Sequence, residues 1–136
     1  MYEALVARLR ADAGVAGAAG VVRGRPAVDL HERKSDAAEA FPAVVITTLG
    51  AGRLYDQDGA GGLENPRVRF ECFGLSAGDS IVLARAVRDA IEAGGETAGV
   101  RFHRGKLRFE RSFPPEDVAT LKIFRTIIDM DVPATF

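Results

Sequence analysis

The sequence predicts an α+β domain built on a mostly antiparallel sheet, and three stretches carry that prediction. Residues 67–73 (RVRFECF) alternate strictly between apolar and charged positions, which is the period of a half-buried strand. Residues 41–49 (FPAVVITTL) are apolar and β-branched between Pro42 and Gly50, as a buried strand requires. Between 76 and 93, apolar Leu83, Ala84, Val87, Ala90 and Ile91 recur at helical spacing.

The remaining elements follow in chain order. Tyr2, Leu5, Val6, Leu9 and Ala13 define an amphipathic opening helix, with Glu3, Arg8, Arg10 and Asp12 on its other side and Gly14 as its expected stop. Residues 15–40 show no clear period beyond a short extended piece at Val21 and Val22, and read as loop. Residues 51–66 are rich in Gly with Asp56, Asp58 and Asn65, which predicts an exposed loop of about residues 50–66 or a flexible hairpin tip. Ser76 with Asp79 has the spacing of a helix N-cap, Gly94 and Gly95 end that helix, and Arg85 with Asp89 and Arg88 with Glu92 are set for i,i+4 pairs. Residues 100–103 and 107–112 read as strands joined by a tight turn at Arg104 and Gly105. Pro114 and Pro115 are expected to interrupt regular structure, and residues 120–132 to form a long final strand covered on both faces for part of its length. The expected whole is one domain over residues 1–136, a sheet of about five strands with two main helices on one face.

Composition narrows the function. A chain of 136 residues with 47% hydrophobic and 27% charged residues is that of an ordinary folded domain. Lys plus Arg (18) nearly balances Asp plus Glu (19), so any attraction to nucleic acid or an anionic membrane must be local. One cysteine, Cys72, precludes an internal disulfide and fits a reducing cytoplasm. Glu3 and the charges at Arg8, Arg10 and Asp12 argue against a signal peptide. No stretch approaches the roughly 18–20 apolar residues of a spanning helix.

Catalytic and cofactor patterns fail on inspection. Gly50 and Gly52 follow a strand, but Tyr55 occupies the third glycine position of a dinucleotide fingerprint and no helix follows. In residues 99–107 (GVRFHRGKL) the glycines are too far apart for a phosphate loop, and Leu107 stands where a metal-binding hydroxyl is needed. Asp29, His31 and Glu32 are neighbours in a charged loop, Cys72 faces inward with Val68 and Phe70, and His103 has no carboxylate beside it. No enzyme, metal or cofactor is therefore expected. Arg101, His103, Arg104, Lys106, Arg108 and Arg111 do form a basic stretch interleaved with Phe102 and Phe109. It could face nucleic acid or a subunit interface, the alternative being a solvated strand with both phenylalanines in the core.

The order of these segments resembles the tail-completion or tail-terminator proteins of long-tailed bacteriophages and phage-derived gene transfer agents. The resemblance runs from Tyr2 to Val132 through YEALVARLRAD, FPAVVITTL, Asp58-Gly59, RVRFECF, LARAVRDAI and RTIIDMDV. The chain departs from the family's pattern between Arg23 and Ala40 and in lacking tryptophan. The resemblance implies a non-enzymatic subunit of a homo-hexameric ring that caps the tail tube in the host cytoplasm and helps join tail to head. Its partners would be the tail tube protein, a head-tail connector protein and DNA passing through the lumen. A head-to-tail contact repeated around an axis must close, at about 60° per copy for six. Arg53, Leu54, Tyr55, Asp56, Gln57 and Asp58, an aromatic and an aliphatic residue amid glycines, are the expected contact to tube or neighbour. The alternatives are another head-tail connector ring subunit and a small nucleic-acid-binding module using the basic hairpin.

Overall fold

Helix α1 (Tyr2–Ala11) buries Ala4, Leu5, Val6 and Leu9 and stops at Asp12, whose extended backbone breaks the helical turn. The Asp12 carboxylate accepts the N–H of Val15 at 3.0 Å and so caps a second helix, α2 (Ala13–Ala18). Gly14 therefore lies inside α2 and is not the stop. The computed structural model describes residues 1–50, 53–56 and 59–135, with the backbone alone at 53–56 and 59–62.

Residues 15–40 are more structured than their sequence suggests. After α2 come a two-residue ribbon, β1 (Val21–Val22) with β2 (Arg25–Pro26), then β3 (Val28–Leu30) and a single 3-10 turn over Ala38–Ala40. The extended piece expected at Val21 and Val22 is β1; the other elements are two or three residues long, too short for a hydrophobic period to repeat and reveal them. The chain continues through β4 (Ala43–Thr48), β5 (Arg53–Asp56), β6 (Gly59–Glu64), β7 (Arg67–Gly74) and α3 (Ala77–Ala93). It ends with β8 (Gly95–Thr97), β9 (Val100–Phe102), β10 (Lys106–Val118), β11 (Leu121–Asp131) and β12 (Ala134–Thr135).

The main sheet has the order β10-β11-β7-β4-β3, antiparallel except for the β3–β4 pair. Ile46, Phe70 and Ile128 stand opposite one another across three strands, as do Val44, Cys72 and Thr126. Both rows face α1 and α3 and form, with Leu5, Leu9, Leu83 and Val87, the centre of the core. The α+β class with antiparallel sheets is that of the structure. Helix α3 begins where the Ser76 hydroxyl accepts the N–H of Asp79 at 3.1 Å, and it ends at Gly94 with φ 70°. Its expected i,i+4 pairs do not form; Arg88 instead holds its neighbour Asp89 at 3.1 Å.

A second five-stranded sheet, β5-β6-β12-β9-β8, is not expected from the sequence, although its member β9 matches the strand expected over residues 100–103. Residues 53–56 and 59–64, expected as loop or hairpin tip, are its first two strands from one edge, and β12 joins them to the rest by pairing with both β6 and β9. Val100, Phe102 and Ala134 belong to the same core as the main sheet, so the two sheets share one apolar interior.

Two further expectations are corrected here. Residues 100–103 and 107–112 are not two arms of a hairpin, because β9 lies in the second sheet and β10 in the first. Gly105 is the crossing point: its N–H donates to Ile91 O at 3.0 Å, and a Cβ there would meet Ile91 Cγ2 at 2.4 Å. Pro114 and Pro115 do not end the strand, since β10 is an edge strand and absorbs them in a register shift between Phe113 and Glu116. An edge strand can spare the missing N–H groups.

Candidate subunit interface

The face of the main sheet turned away from the helices carries the most distinctive surface chemistry. Strand alternation places Arg67, Arg69 and Glu71 there from β7, and the register sets Asp131, Asp129 and Ile127 of β11 against them. Arg69 Nε donates to Asp129 Oδ1 at 2.8 Å and Nη2 to Oδ2 at 3.0 Å. Asp131 is shared by Arg108 at 2.5 Å and Arg67 at 3.5 Å, and Arg125 reaches Glu71 at 3.5 Å. The hydrogen bond to Asp129, then attraction to Asp129 and Glu71, outweigh burial and raise the Arg69 pKa.

One end of this face is closed by a second apolar cluster of Ala27, Phe41, Ala43 and Ile123 with Phe73; beyond it α1 and α3 lie on the opposite side of the sheet, yet Val45, Ile127, Asp129 and Asp131 are buried. Arginine side chains lying across the strands can supply such cover, since their stems are apolar and only their ends need water. At the β10 side the guanidinium groups of Arg111 and Arg125 sit 4.9 and 4.6 Å from the centre of the Phe113 ring. Such contacts are worth about 0.5–1 kcal/mol each at exposed sites. Phe109, paired with Asp129 across the strands, is 43% exposed and so is not the core residue that one reading of the basic stretch expected. A concavity of about 630 Å³ between Leu49, Gly50, Asn65, Arg67, Asp129 and Asp131 opens at the other end of the face. Arginine with exposed aromatics is the composition of protein–protein contact surfaces.

The two free edges of the main sheet differ. At β3, the side chain of Arg10 covers the edge, donating from Nη2 to Val28 O at 2.7 Å and to Asp29 at 3.2 Å. Burial, then repulsion from Arg25, lowers the Arg10 pKa, and Asp29 offsets part of that. Nearly the whole of β10 is exposed, and its edge is blunted by the shift at Pro114 and Pro115 and a second one between Leu107 and Phe109.

The residues singled out in the sequence are distributed over both sheets. Arg53, Leu54, Tyr55 and Asp56 form β5, with Arg53 opposite Glu64 and Tyr55 opposite Ala60, while Gln57 and Asp58 lie outside the described residues. Arg101, His103 and Arg104 line a shallow concavity of about 500 Å³ beside the end of α3, where His103 Nε2 meets Thr135 Oγ1 at 2.7 Å. Lys106 and Arg108 belong to β10, opposite or bonded to Asp131. The basic stretch is thus divided between two sheets, and Arg108 is neutralised within its own chain.

Cys72 is fully buried, and burial, with a further push from Glu71, raises its thiol pKa. Asp29 is tied to Arg10, and Glu32 pairs with Lys34 at 3.3 Å, so neither is arranged around His31. Among the described residues, no group of three His, Cys, Asp or Glu side chains is placed to hold a metal ion, and no helix is long and apolar enough to cross a membrane.

Sequence reading missed the outer-face lattice. The signal was present in the alternation of residues 127–131 (IIDMD), which puts Asp129 and Asp131 on the face that Arg67 and Arg69 share, but only strand register brings them together.

No protein-family model matches the chain, and neither does any curated protein. Its fold is similar to that of a chain in the virion of a native gene transfer agent (GTA) particle. The two share 16% identity with a TM-score of 0.59, covering 98% of this chain and 94% of the other. At that identity the likeness establishes a common fold along nearly the whole length of both.

Proposed function

We propose that this chain is a structural subunit of a phage-like particle, closing into a hexameric ring at the head-proximal end of the tail. There it would stop addition of tube subunits and present a face to the head connector, acting through shape and binding and not through catalysis. The observation that carries this reading is the end-to-end likeness in fold to a virion chain of a gene transfer agent. The order of segments from YEALVARLRAD to RTIIDMDV supports it independently. The arginine and aromatic surface of the sheet supplies a contact face of the kind a ring subunit needs. Residues 53–58 are the proposed contact to the last tube ring or to a neighbour. Arg101, His103 and Arg104 are the proposed group facing the lumen and its DNA.

Solution mass and negative-stain imaging of the purified chain, alone and mixed with isolated tails, test the reading. Rings, or density capping one end of the tube, are the expected result. A chain that stays monomeric and leaves tube ends bare contradicts it, and density only at the head vertex would make it a connector subunit instead.

A further inference from the structure

The outer face of the main sheet and the exposed stripe of α3 on its other side differ in charge balance. On its outer face, Arg67, Arg69, Arg108, Arg111 and Arg125 outnumber Glu71, Asp129 and Asp131, and Phe109 is exposed among them. Among the described residues, Arg111 has no carboxylate within ion-pair distance; its guanidinium rests on Phe113. On the helical side, α3 presents Val82, 57% exposed, in a stripe with Asp79, Asp89 and Glu92. Arg85 shares that stripe and Arg88 is turned onto Asp89, so the carboxylates still exceed the cations. Thr126 fixes which side is which: it bonds Ser80 of α3 at 3.0 Å, while Ile127, next along β11, points to the outer face.

The lengths correspond as well. Residues 79 to 92 of a helix span about 20 Å, and residues 106 to 113 of a strand span about 23 Å. The blunted edge of β10 disfavours strand addition, so the contact has to run through side chains.

We propose that the outer face of one copy, at Phe109 and Arg111, packs on the Val82–Asp89 stripe of α3 in a second copy. The contact is head-to-tail, because its two halves lie on opposite layers of the domain; such a contact makes rings or filaments and never a closed two-fold dimer. It rests on the ring reading above and specifies the surfaces that would build the ring.

The test uses the full chain with Val82→Cys and Phe109→Cys, separately and together, and a flexible bis-maleimide; Cys72 is buried and does not compete. The doubly substituted chain should give a ladder of linked oligomers, an equimolar mixture of the two single variants should give dimers, and each single variant alone should give none. Arg111→Glu should weaken association about tenfold or more, and Asp89→Arg in the same chain should restore it. Dimers from Phe109→Cys alone, or no linked species from the double variant at millimolar protein, would overturn the contact. Neither result bears on whether the chain is found in particles, so failure here is separable from failure of the ring reading.

Discussion

Arg69 grips Asp129 with two parallel hydrogen bonds, 2.8 and 3.0 Å long, on the sheet face opposite α3. The two partners are unequally exposed: the Asp129 side chain is 10% accessible and the Arg69 side chain 36%. Removing the arginine strands a buried charge, whereas removing the carboxylate leaves a cation that can reach water. Arg69→Ala should therefore cost about 3 kcal/mol and Asp129→Ala only about 1 kcal/mol. Urea unfolding of both variants checks this, and equal losses would show that burial does not govern the pair.

Cys72 ties stability to pH at the alkaline end. Its pKa is raised in the fold above the ordinary value of 9.0, by burial first and Glu71 second. The unfolded chain can release this proton as pH passes 9.0 while the folded chain holds it, so the contribution is complete below that value and is lost as pH rises above it. Subtracting the pH profile of Cys72→Ala from that of the parent should leave a downward slope above pH 9.0. A flat difference would mean the thiol is open to solvent.

Gly105 is required by space. A Cβ at this position would meet not only Ile91 Cγ2 but the backbone oxygen of Asp131 at 2.8 Å, and backbone cannot turn aside as a side chain can. Gly105→Ala should destabilise by about 1–3 kcal/mol, whereas Gly17→Ala, where nothing lies within 4 Å, should be neutral or slightly stabilising. Thermal unfolding of the two variants side by side distinguishes them.

The start of α3 depends on one hydroxyl. Ser76→Ala removes the acceptor for the Asp79 N–H and should cost about 1 kcal/mol, with Ser76→Asp retaining most of it. Denaturant midpoints for the pair would show whether the cap acts as read.

Elements long enough to repeat their own period could be read from the sequence, and those fixed by distant neighbours could not. β7 shows four buried residues in strict alternation, and α3 has both a cap and a glycine stop, so local chemistry alone defines them. The second sheet is the opposite case: β9 is legible as a strand but not as part of this sheet, β8 and β12 are three and two residues long, and β12 becomes a strand only because β6 and β9 lie on either side of it. Gly105 looked like a turn because turns and close crossings both favour glycine, and only the packing of Ile91 separates them. The candidate interface was legible by halves: Arg67 and Arg69 were visibly on one strand face, but their partners Asp129 and Asp131 lie sixty or more residues away in sequence.

The most direct measurement of the central claim is made in the producing cell. With this chain's coding sequence deleted, tails should form with irregular length and without joined heads, and supplying the intact chain should restore both. Tails of normal length joined to heads in its absence would contradict the account.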